Sequence, residues 1–160
     1  MNQYMKILYN YILTNISNKD DVNDVLQETM LGIWQGIKGF KKTSTFKTWI
    51  IGICRNKIND FYRKHYNRSN FEVMEFGEIE KNICLSNDIE NIIDQVDIKK
   101  SLSTLPQIDR ELLFLIFNAQ LSYTEIQSIT GIPIGTIKSK VYSIKNKLRP
   151  LLNERESAYD

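Results

Sequence analysis

The stretch Ser122 to Arg149, SYTEIQSITGIPIGTIKSKVYSIKNKLR, specifies two helices and the tight turn between them, and the rest of the chain is read outward from it. Ser122 and Glu125 have the spacing of a capping box, in which the hydroxyl serves a free N–H at the helix start and the carboxylate reaches back to the cap. Thr130-Gly131 ends that helix, and the next one begins after Pro133. In the second helix Ile137, Val141, Ile144 and Leu148 recur at intervals of four, three and four, which places them on one line. At about 100° per residue, Ser139, Tyr142, Ser143 and Asn146 point away from that line, with Lys138 and Lys145 on one flank and Lys140 and Lys147 on the other. Small polar side chains between two rows of positive charge suit the major groove, where base edges lie between two phosphate backbones. An amphipathic surface helix with solubilising lysines has the same periodicity. Five basic residues and no acid between Lys138 and Arg149 favour the helix-turn-helix reading.

A length of 160 residues fits one domain or two small ones, but local charge divides the chain. Residues 55–68 carry a net +4, residues 69–97 a net −7 and residues 138–149 a net +5, so the overall +2 conceals two basic patches separated by an acidic belt. Two cationic surfaces point to two contacts with one polyanion.

Ahead of the belt, Tyr4, Ile7, Leu8, Tyr11 and Ile12 make one stripe of a helix over residues 3–16. Asp20, Asp21 and Asp24 then cluster at the start of a helix expected to run to about Gly39, where acids favour the positive end of the dipole. Its expected core line is Val22, Leu26, Met30, Ile33 and Ile37; the opposite line is Asp24, Glu28, Leu31 and Gln35, with Gln27 and Trp34 at one edge. That acidic stripe with its Leu and Trp reads either as plain solvated surface or as a protein-docking face. Gly32 and Gly36 share a flank on which another helix approaches closely.

FKKTSTF, residues 40–46, is a polar loop, and from Thr48 a third helix buries Ile50, Cys54, Ile58 and Phe61. Trp49, Asn56 and Asp60 share one flank of it, with Arg63 close by. Phe46 and Trp49 fit a core role, but rings and an amide beside a hydroxyl-rich loop and a basic helix end also suit single-stranded nucleic acid, whose bases stack on aromatic faces. By the same count Lys57 faces the apolar side; either its stem lies along that surface or the phase is off by some degrees. After the acidic belt, helices are expected from Val96 to about Ala119, broken at Leu105-Pro106, with Ile108, Leu112, Leu115 and Ile116 packing on the helix-turn-helix. ERESAYD, at the end, is expected to fray.

Chemistry is excluded more than indicated. No HExxH, Gly-rich phosphate loop or nucleophile elbow occurs, and His65 is the single histidine. Cys54 and Cys84 are thirty residues apart and outside any ligand cluster, so neither a metal nor another cofactor is expected. Free thiols, no secretory signal and no run of about 18 apolar residues point to a reducing cytoplasm without membrane insertion.

DVNDVLQETMLGIWQGIKGF at 21–40 followed by TSTFKTWIIGICRNKINDFYRK at 43–64 resembles region 2 of the sigma-70 family of bacterial RNA polymerase sigma factors, and residues 102–149 resemble region 4. The order and short linker are similar to the extracytoplasmic-function (ECF) group, which has neither an N-terminal autoinhibitory region nor a full region 3. The resemblance implies an all-α fold of two small helical domains, 1–68 and 96–160, joined by a flexible acidic linker, 69–95. It implies that Asp24, Gln27, Glu28, Leu31 and Gln35 dock on the clamp helices of the largest subunit of core RNA polymerase, whose flap is a further contact. Phe40, Lys41, Lys42, Thr43, Ser44, Thr45 and Asn56 would then form a pocket for a flipped base of the minus-10 strand, with Trp49 beside it and Arg55, Arg63 and Lys64 on phosphates. Thr136, Lys138, Ser139, Lys140, Tyr142, Ser143 and Lys145 would read minus-35 promoter DNA as duplex. Where the family often has arginines, this chain has Lys138 and Lys140, which lack the planar fork that pairs with guanine, so readout leans on groove shape and phosphates. An anti-sigma factor is the further partner implied. Two other classes fit less of the chain: a helix-turn-helix regulator that dimerises through residues 1–64, and a nucleic-acid-processing enzyme, for which an acid/base set is missing.

Overall fold

The computed structural model describes residues 2–69 and 104–156, all helical or irregular, with no strand among the described residues. They fall in two compact bodies. The linker expected at 69–95 and the helix expected from Val96 lie, apart from Ser69 and the Thr104-Leu105 end, outside the described residues.

The first body is three helices: α1 (Asn2–Asn15), α2 (Lys19–Gly36) and α3 (Phe46–Ser69). Asn18 starts α2, its side chain accepting hydrogen bonds from the backbone N–H groups of Asp20 at 2.8 Å and Asp21 at 3.4 Å, while both aspartates sit in the first turn. Leu8, Tyr11, Ile12 and Ile16 meet Val22, Val25, Thr29 and Ile33 of α2 and Ile50, Ile51, Cys54 and Ile58 of α3 in the core. The expected α2 core line is corrected here. Leu26 and Met30 are only half-buried and Ile37 is exposed, because the buried stripe is turned by roughly 50° toward Val25 and Thr29. The cause is the glycine flank. A Cβ on Gly32 would lie 3.1 Å from Ile53 Cγ2 and one on Gly36 3.1 Å from Trp49 Cζ2, so α3 closes on that side and draws the stripe with it. Helix α2 ends at Gly36, and a 3-10 turn over Ile37–Gly39 replaces its expected last residues.

Thr45 starts α3 two residues earlier than expected, its Oγ1 accepting from Thr48 N–H at 3.1 Å and meeting Thr48 Oγ1 at 2.7 Å. Lys57 resolves as a stem on apolar surface with its ammonium 3.4 Å from Glu28 Oε2. Phe61 is half-buried, and the neighbouring Tyr62 hydroxyl donates to the Asn15 carbonyl at the end of α1.

In the second body α4 (Gln107–Leu113) runs into a π turn over Phe114–Asn118, followed by α5 (Tyr123–Thr130) and α6 (Ile134–Glu156). Pro106 caps α4, its carbonyl accepting from Asp109 and Arg110 N–H. The capping box is present as read: Glu125 N–H donates to Ser122 Oγ at 3.3 Å, and Ser122 N–H to Glu125 Oε2 at 2.9 Å. Gly131 closes α5 with φ 74°, a left-handed conformation that a Cβ resists. Ile126, Ile137, Val141 and Ile144 pack beneath Leu112, Leu113, Phe114 and Leu115; Leu148, Ile108 and Ile116 are half-buried. Helix α6 continues past Arg149 and Pro150 to Glu156, longer than the sequence pattern implied.

Burial pushes the Cys54 thiol up from 9.0 to about 12, against a smaller lowering by its hydrogen bond with Thr29. The folded thiol keeps its proton where the unfolded one has lost it, so this contribution is intact below pH 9 and is lost as pH rises toward 12. Urea unfolding from pH 8 upward should therefore show wild type losing stability faster than Cys54→Ala, by at most about 1.4 kcal/mol per pH unit. Parallel curves would mean the thiol titrates alike in both states. Gly131→Ala, which meets nothing within 4 Å, should cost about 1 kcal/mol through backbone conformation alone, read as a lower urea midpoint.

Candidate nucleic-acid interface

Two surfaces of the first body and one of the second gather the residues singled out by the sequence. On α2, Asp24, Gln27, Glu28, Leu31 and Gln35 are all exposed and share one side of the helix. Leu31 is 53% exposed and Trp34, beside them, 75%. Large apolar groups left in water among acids fit a protein-docking face as well as a plain solvated surface. Glu28 is engaged by Lys57, but both groups are partly solvated and the pair is worth under about 1 kcal/mol. Around the edge from Trp34 runs an apolar groove of about 200 Å³ lined by Tyr4, Met5, Leu8, Met30, Ile37 and Phe46 among others. Sequence periodicity missed it because it assigned Met30 and Ile37 to the core.

The second surface is built on an aromatic cluster. Phe40 lies 4.9 Å from Trp49 and 5.8 Å from Phe46 between ring centroids; Phe46 is 5.7 Å from Trp49 and 5.4 Å from Tyr4. Phe40, Phe46 and Trp49 are each half-buried, so the core reading and the surface reading of these rings both describe part of them. The loop leaves this platform with Lys41, Lys42 and Thr43 exposed and Ser44 half-buried. Lys42 takes φ 56°, a conformation uncommon for a residue with a side chain. Thr45 has a structural task as the start of α3, which distinguishes it from its loop neighbours.

Along α3, Asn56 is exposed two turns beyond Trp49, about 10 Å on, on the same flank. Arg63, exposed on that flank, is paired with Asp60 at 2.7 Å, and Lys64 is exposed beside it. Arg55 is half-buried and points roughly 100° away from Asn56, so it is not brought to the flank. His65 is exposed, its ring 4.1 Å from that of Phe61. The arrangement supplies rings, hydroxyls, an amide and cations along one edge, which suits stacked or splayed bases and their phosphates.

The third surface is the outer side of α6. Thr136, Lys138, Ser139, Tyr142, Ser143 and Lys145 are exposed, with Tyr142 68% so. Lys140 departs from the expected symmetry of the two cationic rows. Its ammonium lies 3.0 Å from Asp109 Oδ1, and Asp109 is buried in the first turn of α4. Nothing in the local pattern announces this pair, since its members are 31 residues apart. Among the described residues no cluster of histidine, cysteine or carboxylate side chains could hold a metal ion. No helix among them is long and apolar enough to cross a membrane.

Comparison with known proteins identifies the family. The family model of sigma-70 region 2 matches residues 1–68, and that of sigma-70 region 4 matches residues 95–148. The ECF RNA polymerase sigma factor EcfG of Rhodopseudomonas palustris (strain TIE-1) is 32% identical over 135 residues, covering 84% of this chain and 73% of the relative. SigM, an ECF RNA polymerase sigma factor of Bacillus subtilis (strain 168), is 29% identical over 154 residues, 94% of this chain and 91% of its own. Among solved structures, the sigma factor RpoE in complex with the anti-sigma factor NepR from Bartonella quintana superposes with a TM-score of 0.70 at 29% identity, over 94% of this chain and 92% of that one. With both regions matched in order and a relative above 30% identity covered over most of its length, the chain belongs to the ECF group of RNA polymerase sigma factors.

Proposed function

We propose that this sigma factor divides promoter opening between its two bodies, residues 1–68 and 96–160, while core RNA polymerase supplies all the catalytic chemistry. The α2 face of Asp24, Gln27, Glu28, Leu31 and Gln35 docks on the clamp helices of the polymerase's largest subunit, and the second body also meets the flap. Phe40, the Lys41–Thr45 loop, Trp49 and Asn56 receive a base flipped from the minus-10 non-template strand. Extruding a base costs a few kcal/mol, so a site that accepts it both selects the step and holds the strand open. Arg63 and Lys64 lie nearest to that strand's phosphates, with Arg55 more remote. Thr136, Lys138, Ser139, Tyr142, Ser143 and Lys145 of α6 face the minus-35 duplex, with Lys140 drawn aside by Asp109. The observation that carries this reading is the exposure of Leu31 and Trp34 on α2, because packing within the body gives no reason for it. An anti-sigma factor is the natural restraint on such a protein, supported by the Bartonella quintana relative's complex with NepR. The cytoplasm is where polymerase and promoter would be met.

Core polymerase supplied with the full chain should give run-off transcripts from promoters that core alone ignores. Asp24→Arg combined with Glu28→Arg should lower those transcripts by at least roughly tenfold, through like-charge and lost-pair costs at the docking face, with duplex affinity unchanged. Duplex binding without added transcripts would instead identify a regulator that acts without polymerase.

Asn56→Ala should cut permanganate reactivity of the minus-10 region by roughly tenfold, the worth of about one well-placed hydrogen bond. Closed-complex retention on filters should hold within about twofold on the same reasoning. Equal losses in the two assays would remove Asn56 from the base pocket.

A further inference from the structure

The partly buried pair between α4 and α6 bears on what the recognition helix offers to DNA. The Asp109 side chain is 8% exposed and the Lys140 side chain, whose ammonium meets it at 3.0 Å, is 35% exposed. A carboxylate that deep needs its partner, since removing one member of a buried pair leaves an uncompensated charge. Neighbouring Arg110 is turned to the Leu105 carbonyl at 2.9 Å. Lys138, Lys145 and Lys147 are by contrast all exposed. If Lys140 swung out to a phosphate it would abandon Asp109 in the interior and leave a negative charge under the helix that faces a polyanion.

We infer that Asp109 is a positioning and specificity-determining residue: it withdraws Lys140 from the phosphate-facing charge of α6 and pins that helix to α4. The inference rests on the reading of α6 as the duplex-facing helix. Its effect is to remove one sequence-blind phosphate contact, so that Ser139, Tyr142 and Ser143 carry a larger share of recognition. The residue therefore acts through Lys140 without touching DNA.

The test measures full-chain affinity for a random-sequence duplex by fluorescence anisotropy between roughly 50 and 200 mM salt. Asp109→Asn keeps the size of the side chain and frees Lys140. The slope of log affinity against log salt should steepen by about 0.9, one added phosphate contact, or roughly 3.5-fold across that range. The paired change Asp109→Leu with Lys140→Met replaces buried charge by apolar bulk, which folded proteins often tolerate, and should leave the wild-type slope. Lys138→Ala should flatten it by about 0.9. A paired variant as flat as Lys138→Ala, or a folded Asp109→Asn with the wild-type slope, overturns the inference alone. If Asp109→Asn loses its helical circular dichroism, the paired variant decides. An unaltered slope in Lys138→Ala would show that α6 does not face the duplex, and both readings would fall.

Discussion

The close approach of α3 to α2 across Gly32 and Gly36 is the contact on which the first body depends. Ile53 and Trp49 lie so near that a β-carbon on either glycine would sit 3.1 Å from a side-chain atom, closer than ordinary van der Waals contact. Interiors are packed densely enough that such an approach has few alternatives. Seating Trp49 there sets the ring against which Phe40 and Phe46 stack, and hence where the polar loop leaves the body. The same contact rotates α2, so that its acidic side with Leu31 and Trp34 is turned to solvent. One pair of glycines thus orients two surfaces that the proposed function uses in different ways, one toward protein and one toward DNA.

Much of this was legible along the chain because its causes are local. The capping box at Ser122 and Glu125, the helix end at Thr130-Gly131 and the line Ile137, Val141, Ile144 depend on neighbours within one or two turns. The α2 stripe was misread for the opposite reason. Apolar residues at Leu26, Met30 and Ile37 have the right spacing for a core line, but which of two adjacent lines is buried was decided by α3, whose approach the two glycines signalled. Periodicity gave the helix and the glycines gave the direction; only their combination places Val25 and Thr29 inside. The capping role of Thr45 was masked by its position in a run of hydroxyl residues, any of which has cap chemistry.

The cationic rows of α6 show a second limit. A helical projection treats Lys138, Lys140, Lys145 and Lys147 as equivalent charges, whereas the fold separates Lys140 from the others by a carboxylate 31 residues away in sequence. Charge pattern predicted the sign of the surface correctly and overstated its strength. A partly buried ion pair seldom adds much net stability over an apolar pair of similar volume, so on the inferred reading its weight lies in where it holds the Lys140 ammonium.

The aromatic platform under the Phe40–Phe46 segment has a kinetic implication. A long flexible loop must lose conformational freedom when it closes on a ligand. Here the rings hold one end, the Thr45 cap holds the other, and Lys42 is already in an uncommon backbone state between them. Both ends of the segment are thus anchored within the body itself. On the proposed reading, the rate at which a strand is captured is then governed by how often the DNA breathes and not by a rearrangement of the protein.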